Sequence, residues 1–187
     1  MNTNIITAFL IGCLIGAYGT SLIPRDEPYI GTKKVHVHSD LLIVINGEAL
    51  DLTGDKYQST ATSSAHSDIH LHDNDDDVLH RHAEGITLAM FLESIGFILT
   101  EDCITTDAGA SHCTNDSNTL SLYVNEELHP SPLTYISAEE DRILLIYGEN
   151  SPEAFFPLIT DRACIFSHTC PERGTPPPES CGLTCEL

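Results

Sequence analysis

Basic residues are scarce in this chain of 187: Lys and Arg number 8 against 28 Asp and Glu, a formal net charge of -20 with histidine neutral. Recognition of a phosphate backbone needs clustered cations, so nucleic acid is excluded as a partner. No CxxC occurs among the 7 cysteines, which removes both a thioredoxin-like redox pair and a zinc ribbon. With 41% hydrophobic residues and a mean hydropathy of -0.04, the chain is neither disordered throughout nor a multi-pass membrane protein. One modest globular domain is expected.

Lys and Arg are also missing from residues 1–4, a short N-terminal segment ahead of one long apolar run. Residues 5–23 carry no charge and as a helix would cross a bilayer core of roughly 30 Å, so they read as a transmembrane anchor or uncleaved signal. Residues 10–13 also fit a lipobox ending at Cys13, and a cleaved signal is the third option. Arg25, Lys33 and Lys34 follow the run, which by the positive-inside rule would keep the domain cytoplasmic. The cysteines argue the other way. Cys103 and Cys113, then Cys164, Cys170, Cys181 and Cys185, make an even set of six that fits structural disulfides in an oxidising compartment, at the cell surface or in the periplasm. Cys103 is expected to bond to Cys113.

After a linker over 24–34, residues 35–150 carry the patterned part of the chain, and 151–187 form a tail rich in Pro and Cys. Residues 35–52 read as a hairpin turning at Asn46-Gly47. Two short strands over 69–72 and 78–82 flank an acidic turn at 73–77. Thr87 caps a helix whose Leu88, Phe91, Leu92 and Ile95 share one face, ending at Gly96. Residues 100–118 read as a disulfide-tied loop, 120–124 as a strand, 135–138 as a short strand, and 142–147 as a central one. The prolines beyond 150 exclude helix or sheet interior there, leaving an extended, stapled tail that packs on the domain or is presented to a protein partner.

Ten histidines are present, and seven fall between His36 and His82. They include three His-x-His pairs: His36 and His38, His70 and His72, His80 and His82. Alternation along a strand sends both members of each pair to one face, so six imidazoles can converge if the strands are neighbours. Neutral imidazole is a ligand for Zn and Cu among other transition metals. His66, Asp40, Asp73 and Asp75 are auxiliary candidates, the carboxylates as acceptors for imidazole N–H groups. Asp73, Asp75 and Asp77 have the spacing that begins a calcium loop, but Val78 stands where that loop needs Gly and no helices flank it. Ten of the 28 acids lie between Asp40 and Glu84, among the histidines, where a bound cation would offset them.

Two resemblances add to this. The stretches TLAMFLESIG, LSLYVNEELH and AEEDRILLIYG resemble the helix and later strands of ubiquitin-like sulfur carriers, which implies an α+β domain of β-grasp type: a mixed sheet covered by one amphipathic helix. Carriers end in an activated Gly-Gly, whereas this chain continues past Gly148 without one, so carrier chemistry is not implied. HVHSDLLIVINGE, IHLHDNDDDVLHRHAEGITLAMFLESIG and DRACIFSHTCPERGTPPPESC together resemble an uncharacterised group of membrane-anchored, extracytoplasmic prokaryotic proteins. That likeness implies a shared design of exported metal-site domain and names no reaction.

The expectation is an anchored, extracytoplasmic Zn- or Cu-binding module for sensing, buffering or delivery. The alternatives are a zinc hydrolase or hydratase with three His ligands, a metal-bound water and Glu84 or Asp77 as base, and an interaction module whose histidines form a pH-sensitive surface on different faces.

Overall fold

A computed structural model describes residues 33–59, 68–149 and 151–177. The expected anchor at 5–23, nearly all of the linker, His66, Cys181 and Cys185 lie outside the described residues. Among the described residues no helix is long and apolar enough to cross a membrane.

The protein is a mixed α+β structure dominated by its sheets. β1 (Lys34–Ile45) is 12 residues long, roughly 40 Å of extended chain, and this length lets one strand serve several neighbours. Its C-terminal end turns at Asn46 and Gly47, both with positive φ, into β2 (Glu48–Ala49), as the Asn-Gly pair requires. Its N-terminal half pairs instead with β4 (Val78–Ala83), which pairs in turn with β3 (Ile69–His70) across the acidic turn. On its other edge β1 runs parallel to β10 (Arg142–Gly148), followed outward by β8 (Thr119–Val124) and β9 (Glu127–His129). The order is β3-β4-β1-β10-β8-β9, with β2 on the β4 side of β1.

Alternation decides what each face carries. Leu41, Ile43, Ile45, Leu79, Ile143 and Leu145 point to one side, where α1 (Leu88–Ser94) closes the main core through Leu88, Phe91 and Leu92. Thr87 Oγ1 accepts the Met90 N–H as the expected cap. Val44, Leu144 and Ile146 point to the other side and meet Ile159, Phe155 and Phe156 of the tail.

Three expectations are corrected. Residues 135–138 are not a strand, because their backbone groups are spent elsewhere. Ser137 O accepts from the buried Arg81 guanidinium, Ala138 N donates to Asp141, and Tyr135 O accepts from Leu88 N. The strand beside β8 is β9, reached through Asn125 and Glu126 at positive φ. Within 100–118 lie two strands, β6 (Cys103–Thr105) and β7 (Ser111–Cys113), which join β5 (Ile98–Leu99) in a small second sheet. Cys103 and Cys113 face each other in its register and are disulfide-bonded.

The tail, finally, is not simply extended. Among the described residues it contains three short 3-10 turns and a helical turn, α2 (Ala163–Phe166), closed by the Cys164–Cys170 disulfide. Its carbonyls at Phe156, Ile159 and Thr160 accept from Arg142 of β10, which pins it across the second face of the sheet. The two disulfides among the described residues are compatible with an oxidising compartment.

Candidate metal centre

The registers of β3, β4 and β1 set three imidazoles in a row. His80 lies opposite His38 on one side and opposite His70 on the other. His36, His72 and His82 stand two residues along on the same face, so all six paired histidines share one surface of the sheet, opposite the main core. Their rings follow one another in a closed circuit. Centroid separations are 4.5 Å from His36 to His38, 4.8 Å to His80, 4.0 Å to His72, 5.6 Å to His70, 5.0 Å to His82 and 4.9 Å back to His36.

This surface is buried, because α2 lies over it. Phe166 sets its ring edge-on to His80 at 5.1 Å and tilted over His38 at 5.8 Å. His38, His70, His72 and His80 are each no more than 2% exposed. Among the described residues His72 Nε2 and His80 Nδ1 are buried without a hydrogen-bond partner. Leaving such an atom unpaired costs about 1–3 kcal/mol, a penalty that a coordinated cation would remove. Burial, reinforced by His72, His38, His70 and His82, holds the pKa of His80 well below its ordinary 6.5, so it is a neutral imidazole near pH 7.

Three ligand atoms already converge. One ring nitrogen each of His36, His38 and His80 lies within 4.8 Å of the others, and these residues can hold a metal ion. The Nε2 atoms of His36 and His38 are 3.2 Å apart. An N–H···N hydrogen bond has that length, and so do two ligands of one tetrahedral ion, which at about 2.05 Å from the metal stand roughly 3.3 Å apart. The far side of His38 is fixed: Nδ1 meets Ser167 Oγ at 3.2 Å and Glu139 Oε1 at 3.4 Å, while Ser167 itself donates to Glu139. His72 is held in the same way, with Nδ1 2.7 Å from Asp73 Oδ2, so that its Nε2 is left for the cluster. Carboxylates behind imidazoles orient the ring and raise its basicity as a ligand.

The other candidate carboxylates have different work. Asp40 accepts from Thr160 Oγ1 and from the N–H groups of Arg162 and Ala163, so it binds the tail and not an imidazole. Asp75 and Asp77 pair with Arg162 at 2.6 and 3.1 Å, fastening α2 to the acidic turn. Asp75, Asp76 and Asp77 also lie close together, but Asp76 accepts from Leu52 N, which makes the group a structural turn. Glu84 is on the surface, paired with Lys33. His66 lies outside the described residues.

No motif in the sequence points to Phe166, Ser167, Glu139 or His168. A cavity of about 350 Å³ opens beside His36 and His38 and is lined by Glu139, Phe166, Ser167, His168 and Thr169. The available signal was that residues 165–169 lie between two cysteines that bond to each other. In comparisons with family models, curated proteins and solved structures, nothing matches this chain.

Proposed function

We propose that this protein is an extracytoplasmic transition-metal-binding module, anchored to a membrane by residues 5–23, that takes up Zn(II) or Cu(II) for sensing, buffering or delivery. The observation that carries the proposal is the convergence of the buried His38 and His80 with the half-buried His36, with Ser167 and Glu139 behind His38. The two disulfides support export. The pairing of β2, β1, β10, β8 and β9, with β1 and β10 parallel at its centre, supports a β-grasp scaffold, onto which the β3-β4 hairpin adds the histidine face. The same combination supports grouping the chain with the anchored prokaryotic proteins that its motifs resemble.

A hydrolase or hydratase has less support. Asp77 and Glu84, its candidate bases, are each held in an ion pair with an arginine or a lysine. An interaction module with histidines on several faces has less still, since the six paired histidines share one.

The test is metal analysis of the full chain, purified without a polyhistidine tag, followed by Zn(II) and Cu(II) titration. The expected result is tight binding that weakens at least a hundredfold in His36→Gln/His38→Gln. A native protein that neither carries nor takes up a transition metal overturns the proposal.

A further inference from the structure

Sensing or delivery needs an ion that can be exchanged, and the three converging histidines are held unequally. His38 and His80 are 2% and 1% exposed, whereas His36 is only half-buried. His38 is also fixed from behind. Its Nδ1 faces two acceptors, Ser167 Oγ at 3.2 Å and Glu139 Oε1 at 3.4 Å, so the ring proton sits there and the lone pair on Nε2 is turned towards His36.

The cavity of about 350 Å³ opens beside these two ligands, with His36 and His38 in its wall and His80 not. That volume takes a small organic ligand. Its remaining walls are tied down. Ser167 donates to Glu139, Thr169 donates to Glu140, and the Cys164–Cys170 disulfide closes the loop that carries Phe166, Ser167 and Thr169.

Three protein ligands leave one position of a tetrahedral ion for a donor from outside. A donor arriving through this cavity meets the Glu139 carboxylate and the apolar ring of Phe166. The carboxylate opposes an anionic donor such as a thiolate or another carboxylate. It suits a neutral imidazole, whose far N–H it can accept, as Glu139 stands behind His38 and Asp73 behind His72.

We propose that this cavity is an exchange site, in which a neutral imidazole from outside the chain adds to the ion held by His36, His38 and His80 and displaces His36. The proposal rests on the metal-binding reading above and names the class of ligand that loads and unloads that ion. One metal–nitrogen bond forms as the bond to His36 breaks, with charge unchanged and no proton or electron transferred.

The experiment follows Zn(II) leaving the untagged full chain for a chromogenic chelator as free imidazole is added. Release should accelerate to a plateau of about tenfold, equivalent to about 1.4 kcal/mol off the barrier, and acetate should have no effect. Thr169→Trp, which adds bulk to the cavity wall and replaces no metal ligand, should suppress the acceleration. An end-blocked Gly-His-Gly peptide separates the two sources of imidazole. Acceleration by the peptide as well supports the proposal with a protein side chain as the donor; acceleration by imidazole alone supports it with a free small molecule. A release rate in native protein that ignores imidazole, or that rises equally with acetate, overturns the exchange site and leaves the metal-binding function standing. An equal acceleration in Thr169→Trp also overturns it. A chain that never takes up Zn(II) or Cu(II) overturns both.

Discussion

The backbone N–H of Ala163 donates to both carboxylate oxygens of Asp40, at 3.3 and 3.2 Å, two residues along β1 from His38 on the same face. Thr160 and Arg162 add two more donors to that carboxylate. Burial raises the Asp40 pKa, and these hydrogen bonds pull it back towards its ordinary value. One side chain of the histidine strand therefore holds the segment that covers the histidines. Replacing Asp40 by Ala leaves the Arg162 and Ala163 amides without an acceptor, at a cost of about 1–3 kcal/mol. Urea denaturation should show that loss, and hydrogen exchange should show faster exchange across residues 160–173. Unchanged protection there would show that the tail is held by other contacts.

Phe166 covers His38 and His80 and is itself 5% exposed. Phe166→Ala should lower stability by about 3 kcal/mol and open the site to water. Release of Zn(II) to a competing chelator should accelerate by an order of magnitude or more. A release rate equal to that of the native protein would mean that the ring is no barrier to the ion.

The pH dependence follows from His80. Its folded-state pKa lies well below the 6.5 of an exposed imidazole, so it resists protonation when folded and accepts a proton when unfolded. The metal-free protein should hold its full stability above about pH 6.5 and lose it as pH falls below that value towards the folded-state pKa. The slope is about 1.4 kcal/mol per pH unit for one proton. Thermal melts between pH 5 and pH 8 measure it. His80→Gln should flatten the acid side of the curve, and an unchanged acid side would assign the effect to other groups.

The disulfides should act separately. Cys103–Cys113 ties the small sheet and Cys164–Cys170 ties the covering loop, with sequence separations of 10 and 6. Loop-closure entropy gives each about 2–3 kcal/mol. Cys164→Ser/Cys170→Ser should weaken metal retention, whereas Cys103→Ser/Cys113→Ser should cost stability and leave retention near native. Thiol labelling of native protein should find none of these four cysteines reactive, and reaction at Cys103 and Cys113 would contradict the pairing.

Local chemistry was legible in the sequence. Asn46-Gly47 is a turn because Gly accepts positive φ freely and Asn tolerates it; Thr87 starts a helix because its hydroxyl meets an orphan amide; the apolar run at 142–147 is central because both its faces are covered. The His-x-His spacing fixed that each pair shares a face, since that follows from the two-residue period of a strand alone. Residues 135–138 have a strand's pattern but are not one, because their amide and carbonyl groups are claimed by Arg81, Asp141 and Leu88, partners outside the segment.

Only the tertiary structure decided which pairs meet and what covers them. Register between strands is set by cross-strand packing and turn geometry, so the alignment of His38, His80 and His70 is not a property of any one segment. The covering of that face depends on contacts between residues more than a hundred positions apart, such as Asp40 with Thr160 and His38 with Ser167. The sequence by itself determined a histidine-rich, acid-flanked strand system with cysteines fit for an oxidising compartment. Folding turned it into a largely buried circuit of imidazoles, because the irregular tail finds its hydrogen-bond partners on Asp40 and Arg142 and lays Phe166 over His38 and His80.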